Sequence, residues 1–180
     1  MPVRSRASSA VWSTEFLPKT TQLITAWRLV KSRHARDAFD GEGARLYGGR
    51  WNSPGTRVAY ASDSVALAVL EVLAHLQSTA VLQAYSLATI RFPESVVETL
   101  VPAALPAEWR RFPSPRENQA LGDTWVAEGR SLVLRVPSAI VPSASNYLIN
   151  PVHPRFTVAV TEKPEVFAFD PRLLKRLRQG

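Results

Sequence analysis

The chain has 180 residues, 46% of them hydrophobic, with 14 prolines and 8 glycines, which fits one folded, loop-rich domain with a substantial core. It has no cysteine, and its three histidines (His34, His75, His153) show no ligand spacing, which excludes disulfides and thiolate metal sites and argues against metal catalysis. The formal charge of +7 is uneven, Lys+Arg against Asp+Glu being 10 to 4 over residues 1–60, 5 to 8 over 61–130 and 7 to 3 over 131–180; two basic outer thirds suit a phosphate-bearing small molecule, an acidic protein partner or nucleic acid, unless they are only a basic background.

Residues 1–20 lack periodicity and read as a mobile arm with one aromatic pair, Trp12 and Phe16, ahead of a single domain over 21–180. The arm carries no apolar secretory core, and no stretch approaches the roughly 20 apolar residues of a membrane span, so a cytoplasmic protein is expected. From Gln22, LITAWRLV alternates as a strand in which Arg28 interrupts an apolar run. Facing inward, that arginine needs an anion from the protein or from a ligand; at a sheet edge its head would sit in water. Residues 31–45 read as a polar loop.

The next stretch, Arg45 to Leu76, has the framework of a site. Gly48-Gly49 frees the backbone to turn sharply, or to lie close against a ligand, immediately before Arg50, whose planar fork suits a phosphate. Trp51, which lines a pocket or joins the core, and Asn52 follow; Ser53-Pro54-Gly55 is a turn, and Arg57 to Ala61 a short strand. Ser62 or Ser64 then caps a helix whose Val65, Val69, Val72, Leu73 and Leu76 recur on one face. Glu71 lies inside that run beside Leu67, Ala68 and His75, and a carboxylate so placed is costly without a partner, for which Arg50 or Arg28 is available. Taken alone, the same residues also fit a plain turn and a solvated helix flank.

Val81 to Phe92 alternates as a strand ended by Pro93, and Glu94 to Leu100 gives a short amphipathic piece. A helix runs from Pro115 or Arg116 to about Glu128, and Ser131 to Pro137 is a strand. The Pro-, Ser- and Asn-dense stretch that follows, to Phe156, reads as a loop presenting Ser138, Ser145, Asn146, Asn150 and His153. Phe156 to Val160 and Val166 to Phe169 read as final strands, and Asp170 caps a basic C-terminal helix, RLLKRLRQ.

Five segments taken together, AWRLV (Ala26–Val30), YGGRWN (Tyr47–Asn52), AYASDSVALAVLEVLAHL (Ala59–Leu76), LGDTWVAEGRSLVLRVPSAIVP (Leu121–Pro142) and NYLINPVHPRF (Asn146–Phe156), resemble the RES-domain family of bacterial toxins. These are encoded with an Xre-type antitoxin and named for a recurring Arg, Glu and Ser; the match spans roughly residues 22–170. The resemblance implies an α+β fold similar to that of ADP-ribosyltransferases, with mixed, mainly antiparallel sheets and flanking helices. It also implies destruction of NAD at the nicotinamide–ribose bond, by hydrolysis or phosphorolysis, with transfer of ADP-ribose to a protein as an alternative. NAD is then a substrate, and no separate cofactor is expected. The implied partner is the Xre-family antitoxin, covering the active site, with a homodimer inside the complex; nucleic acid would be reached only through the antitoxin, and a membrane not at all.

The family's functional positions fall on Arg28, Arg50, Tyr60, Glu71 and Ser138, with Gly49 and Asn52 beside them in the substrate-binding set. One departure is that similar sequences often carry an acidic residue just before NYL, where this chain has Ser145. In the implied chemistry Arg28 and Arg50 hold the diphosphate. Glu71 stands beside the oxocarbenium-like ribose, or binds its hydroxyls and the incoming water or phosphate. Tyr60 packs on the nicotinamide ring or hydrogen-bonds to Glu71, and Ser138 contacts the nicotinamide ribose or amide. Two rival readings rest on the charge alone: a nucleic-acid-binding module or ribonuclease, against which no aromatics interleave with Lys/Arg, and a non-enzymatic partner of an acidic antitoxin.

Overall fold

The computed structural model describes residues 22–75 and 84–175. Its strands are β1 (Leu23–Lys31), β2 (Ala59–Ser62), β3 (Tyr85–Pro93), β4 (Val97–Thr99), β5 (Val133–Pro137), β6 (Ser145–Ile149), β7 (Val160–Thr161) and β8 (Glu165–Phe167). The helices are α1 (Glu42–Tyr47), α2 (Val65–His75), α3 (Arg116–Glu128) and α4 (Pro171–Lys175). The strands form one sheet in the order β4-β5-β6-β2-β1-β3-β7, with β8 also on β3, and among the described residues only the β4–β5 pairing is parallel. The architecture is the expected α+β with mainly antiparallel pairing, gathered into one sheet instead of several.

Pairing is uneven across that sheet. β1 follows β3 from Leu23↔Pro93 to Lys31↔Tyr85, and β2 follows β6 from Ala59↔Ile149 to Ser62↔Asn146. Between β1 and β2 the register holds at Trp27↔Ser62 alone, so the two strands diverge beside Arg28.

The period-2 alternation of the strands separates two cores. Ala26, Ala59, Ala61, Ala88, Ile90, Tyr147 and Ile149 share one face with Phe39 and Phe92. On the other face Leu29 packs with Ala68, Val69, Val72 and Leu73 of α2, while Leu134, Val136 and Leu148 pack with Trp125 and Leu121 of α3 and with Trp51. Helices α2 and α3 therefore cover opposite ends of one sheet face. Tyr60, Ser62 and Asn146 lie on the strip of β2 and β6 between them.

Local chemistry sets several boundaries. Ser64, of the two candidates, caps α2, its Oγ accepting the Leu67 N–H at 3.2 Å. The face of α2 expected from the sequence is partly right: Val69, Val72 and Leu73 pack inward, but Leu67 and Ala68 are its most buried residues. Helix α3 ends where Gly129 turns left-handed (φ 57°). Its Gly122 admits no side chain, because a Cβ there would come 1.8 Å from the Trp51 carbonyl oxygen.

Three expectations are corrected. Residues 31–45 are not all loop: α1 forms between left-handed Gly41 (φ 73°) and Gly48 (φ 71°), and its Glu42 is gripped by Arg45 and Arg57. The presumed loop after Pro137 contains β6, a central strand whose ladders to β2 and β5 override its Pro- and Asn-rich flanks. Phe156 to Val160 is mostly a 3-10 turn, Pro154–Val158, since Pro154 favours a helical start and the His153 ring accepts the Arg155 N–H. The expected arm over residues 1–20, the start of the strand at 81–83, Leu76 and the helix beyond residue 175 lie outside the described residues.

Candidate active site

Glu71 projects from the Leu67/Ala68 face of α2 toward β6. Its Oε1 accepts two hydrogen bonds, from Ser138 Oγ at 2.9 Å and from Asn146 Nδ2 at 2.6 Å. Asn146 is oriented in turn by Ser62, whose Oγ donates to its Oδ1 at 2.8 Å. Ser138 is fully buried and accepts the N–H groups of Ile140 (3.1 Å) and Val141 (3.2 Å), so its one proton is committed to Glu71. Each bond to a charged acceptor contributes about 1.5–3 kcal/mol, which offsets the cost of a half-buried carboxylate without a cation. Among the described residues Oε2 has no hydrogen-bond partner, and it is the oxygen left for a ligand.

The expected cationic partner of Glu71 is therefore replaced by neutral donors. Arg50 acts on Glu71 at longer range: burial lowers the arginine's pKa, and the carboxylate's charge opposes that shift. Its guanidinium is aimed by backbone, Nη1 donating to the carbonyls of Trp109 at 2.7 Å and Arg111 at 3.0 Å. The Arg50 carbonyl accepts from Ser114 Oγ at 2.9 Å. Helix α3 fixes the same loop through residues one turn apart, since Gln119 Nε2 donates to the Gly49 carbonyl (3.1 Å) and Asp123 accepts the Ser53 N–H (3.0 Å).

Tyr60 and Asn52 belong to the support of that loop. The Tyr60 hydroxyl donates to Asn52 Oδ1 at 2.7 Å and accepts the Trp51 N–H at 3.1 Å, so it is not available to Glu71. Burial pushes its pKa well above the usual phenol range, and the group stays neutral. Asn52 is fully buried and donates to the carbonyls of Ala44, Ser53 and Thr56, which makes it a clamp inside the loop and not a group facing substrate. Gly49 is required because a Cβ would lie 2.6 Å from the Tyr60 hydroxyl; the close approach is to tyrosine. Trp51, 2% exposed and stacked on Trp109 with centroids 6.0 Å apart, is core.

Arg28 does not join Glu71. Its register with Ala88 puts its Cβ on the sheet face opposite Trp27 and Leu29, the residues that pack α2. The guanidinium reaches sideways where β1 and β2 part and donates from Nη1 to the Tyr60 backbone carbonyl at 2.8 Å. Among the described residues its Nε is buried without a partner, and its pKa is lowered by burial against the pull of Asp40. A cavity of about 460 Å³ lies on that far face, lined in part by Phe39, Asp40, Arg57, Ala88 and Phe156. The anticipated trio thus becomes a pair, Arg50 and Glu71, with Arg28 acting on the strand behind Tyr60. Ser145, at the departure noted above, has its N–H bound by Asp63 Oδ2 at 2.7 Å, from the turn before α2.

Asn146 and Ser62 are the residues that sequence reasoning did not assign to the site; β6 and its ladder to β2 bring them there. Among the described residues no group of three or more His, Asp or Glu gathers as metal ligands.

The RES domain family model matches residues 25–170. The chain is 39% identical to "Toxin Res" of Yersinia enterocolitica over 148 residues, covering 82% of this chain and 97% of that protein. It is 36% identical to the "Prs ADP-ribosylating toxin" of Sphingobium sp., with 83% and 96% covered. In fold it is similar to a chain of the M. tuberculosis MbcT–MbcA toxin–antitoxin complex, with a TM-score of 0.69 at 24% identity, covering 89% of this chain and 91% of that one. The matched span contains Arg28, Arg50, Tyr60, Glu71 and Ser138, and the chain belongs to the RES-domain family.

Proposed function

We propose that this chain is the toxin of a toxin–antitoxin pair and that it acts by cleaving NAD at the nicotinamide–ribose bond. The observation that carries the reading is the Glu71 carboxylate: one oxygen is locked by Ser138 and Asn146, the other has no partner among the described residues, and Arg50 stands within range of its charge. Nicotinamide in NAD is already a cationic leaving group. When the bond breaks, its electron pair goes to the ring nitrogen, nicotinamide departs neutral, and positive charge builds on the ribose. The open oxygen of Glu71 offsets that charge or binds the ribose hydroxyls; water or phosphate then adds at the anomeric carbon, and when water attacks, its proton leaves to Glu71 or to solvent. Arg50 binds the diphosphate by charge-assisted hydrogen bonds. NAD is substrate here, and the chemistry calls for no further cofactor.

The purified chain incubated with NAD should release nicotinamide, and Glu71→Ala should lower that rate by about 10²–10⁴ with an unchanged circular dichroism spectrum. Equal rates in the two proteins would overturn the reading. A second acceptor is favoured by the name of the Sphingobium relative, a Prs ADP-ribosylating toxin. The bond broken is the same, and labelled NAD in lysate separates the cases, because a transferase leaves label on a protein.

The fold neighbour comes from a complex with an antitoxin, and the two basic outer thirds of this chain suit an acidic inhibitor of the Xre family seated over the same site in the cytoplasm. Expression alone should arrest growth, and co-expression with that inhibitor should restore it.

A further inference from the structure

The loss of Arg28 from the site leaves the diphosphate with one cation, and a second one stands beside Arg50. Arg50 wraps the backbone of residue 110, its Nη1 bound to the carbonyls on either side, those of Trp109 and Arg111. The Arg110 side chain reaches the segment after β5, where its Nε donates to the Ala139 carbonyl at 3.1 Å. Ala139 follows Ser138, which holds Glu71. Arg110 therefore spans from the segment that aims Arg50 to the loop that aims the carboxylate.

Several other arginines are neutralised by carboxylates. Arg111 is paired with Glu108, Arg45 and Arg57 with Glu42, and Arg130 with Glu98. Among the described residues Arg50 and Arg110 have no carboxylate within ion-pair distance; both are fixed by neutral carbonyls, which occupy few of their N–H donors. The charge of Arg110 bears on Arg50 and, with burial, lowers its pKa. Two like charges near one another, with the Glu71 carboxylate acting only at longer range and no carboxylate in contact with either, favour an anion that bridges them, and a diphosphate presents oxygens to both forks.

We infer that Arg110 is a substrate-binding residue that forms, with Arg50, a two-arginine clamp for the diphosphate of a dinucleotide. The inference rests on the NAD reading for its substrate, but the clamp can be tested apart from the reaction, with ADP as a diphosphate probe and adenosine as its phosphate-free counterpart.

Arg110 is exposed, so Arg110→Gln should melt as the wild type does. Its KM for NAD should rise about tenfold or more, the loss expected for a charge-assisted contact, with kcat within about threefold. The dissociation constant for ADP should rise by the same factor while that for adenosine stays unchanged. Arg110→Lys, which keeps the charge without the fork, should recover part of the affinity, and Arg91→Gln, on the β3 surface against Glu162, should change nothing. Failure of the wild type to release nicotinamide would remove the NAD reading and leave the ADP arm to decide the clamp. Equal binding of ADP and adenosine by the wild type, no binding of ADP, or an Arg110→Gln protein with wild-type KM and ADP affinity would each overturn the assignment.

Discussion

Arg28 and Arg50 both have a pKa lowered by burial, and both donate to backbone carbonyls, yet they serve different regions. Arg28 stands on β1 with its Cβ on the face away from α2, Asp40 as its nearest opposing charge and the Tyr60 carbonyl as its acceptor. Arg50 follows a Gly-Gly turn, feels the charge of Glu71 and is steadied by a segment about sixty residues later in the chain. Burial of an arginine does not by itself mark a binding site. What separates the two is which sheet face they serve and which carboxylate shares their surroundings.

Exchanging each for leucine gives the largest expected contrast. Arg50→Leu should lower NAD turnover by about 10²-fold or more, the scale seen when an electrostatic donor is removed, with little change in melting temperature. Arg28→Leu should leave the Tyr60 carbonyl unpaired and cost about 1–3 kcal/mol of stability in urea unfolding. Any loss of its turnover should then follow the folded fraction. An Arg28→Leu protein of wild-type stability that has lost turnover would return Arg28 to the site and erase the distinction.

The sequence pattern discloses one of these regions better than the other. Strands β1, β3 and β5 and helices α2 and α3 follow from periodicity and from Pro and Gly punctuation, because their side chains are sorted by a single buried face. β6 escapes that logic: five residues, Ser145–Ile149, lie among prolines and asparagines, and the strand exists because β2 and β5 pair with it from both sides. Helix α1 is hidden for a similar reason, its six residues being held by glycine turns and by ion pairs of Glu42.

Within the site, Glu71 is legible as a costly carboxylate on an apolar helix, but its partners are not. Ser138 and Asn146 stand 67 and 75 residues away, and no local spacing announces a contact made by a strand that periodicity misses. Gly122 did leave a trace, a glycine in mid-helix where alanine would otherwise be preferred, and its reason is the Trp51 carbonyl against it.

A smaller effect tests whether Ser138 belongs with the support or with the substrate. Because it is fully buried and its proton goes to Glu71, Ser138→Ala should lower kcat about tenfold by loosening the carboxylate and leave KM for NAD near its wild-type value. A raised KM with unchanged kcat would mean that the hydroxyl contacts the nucleotide, as the family resemblance implies, and would shift it to the Arg50 side of the comparison.

The smallest expected effect concerns Tyr60, which joins the two regions through its backbone carbonyl on one side and its hydroxyl on the other. Burial raises its pKa in the folded chain, whereas the unfolded chain releases the phenol proton near pH 10. Below that pH both states keep the proton and the residue adds no pH dependence. As pH climbs past 10 the unfolded state loses its proton first and binds fewer, so stability falls. Tyr60→Phe should cost about 1 kcal/mol at pH 8, for the lost clamp on Asn52, and then decline less steeply than the wild type as pH passes 10. Tyr85, also raised by burial, leaves a residual slope in both proteins. Urea midpoints at pH 8 and at pH 10.5 measure the difference, and parallel declines would mean that the Tyr60 hydroxyl is wet, which would loosen the Gly49–Asn52 turn that aims Arg50.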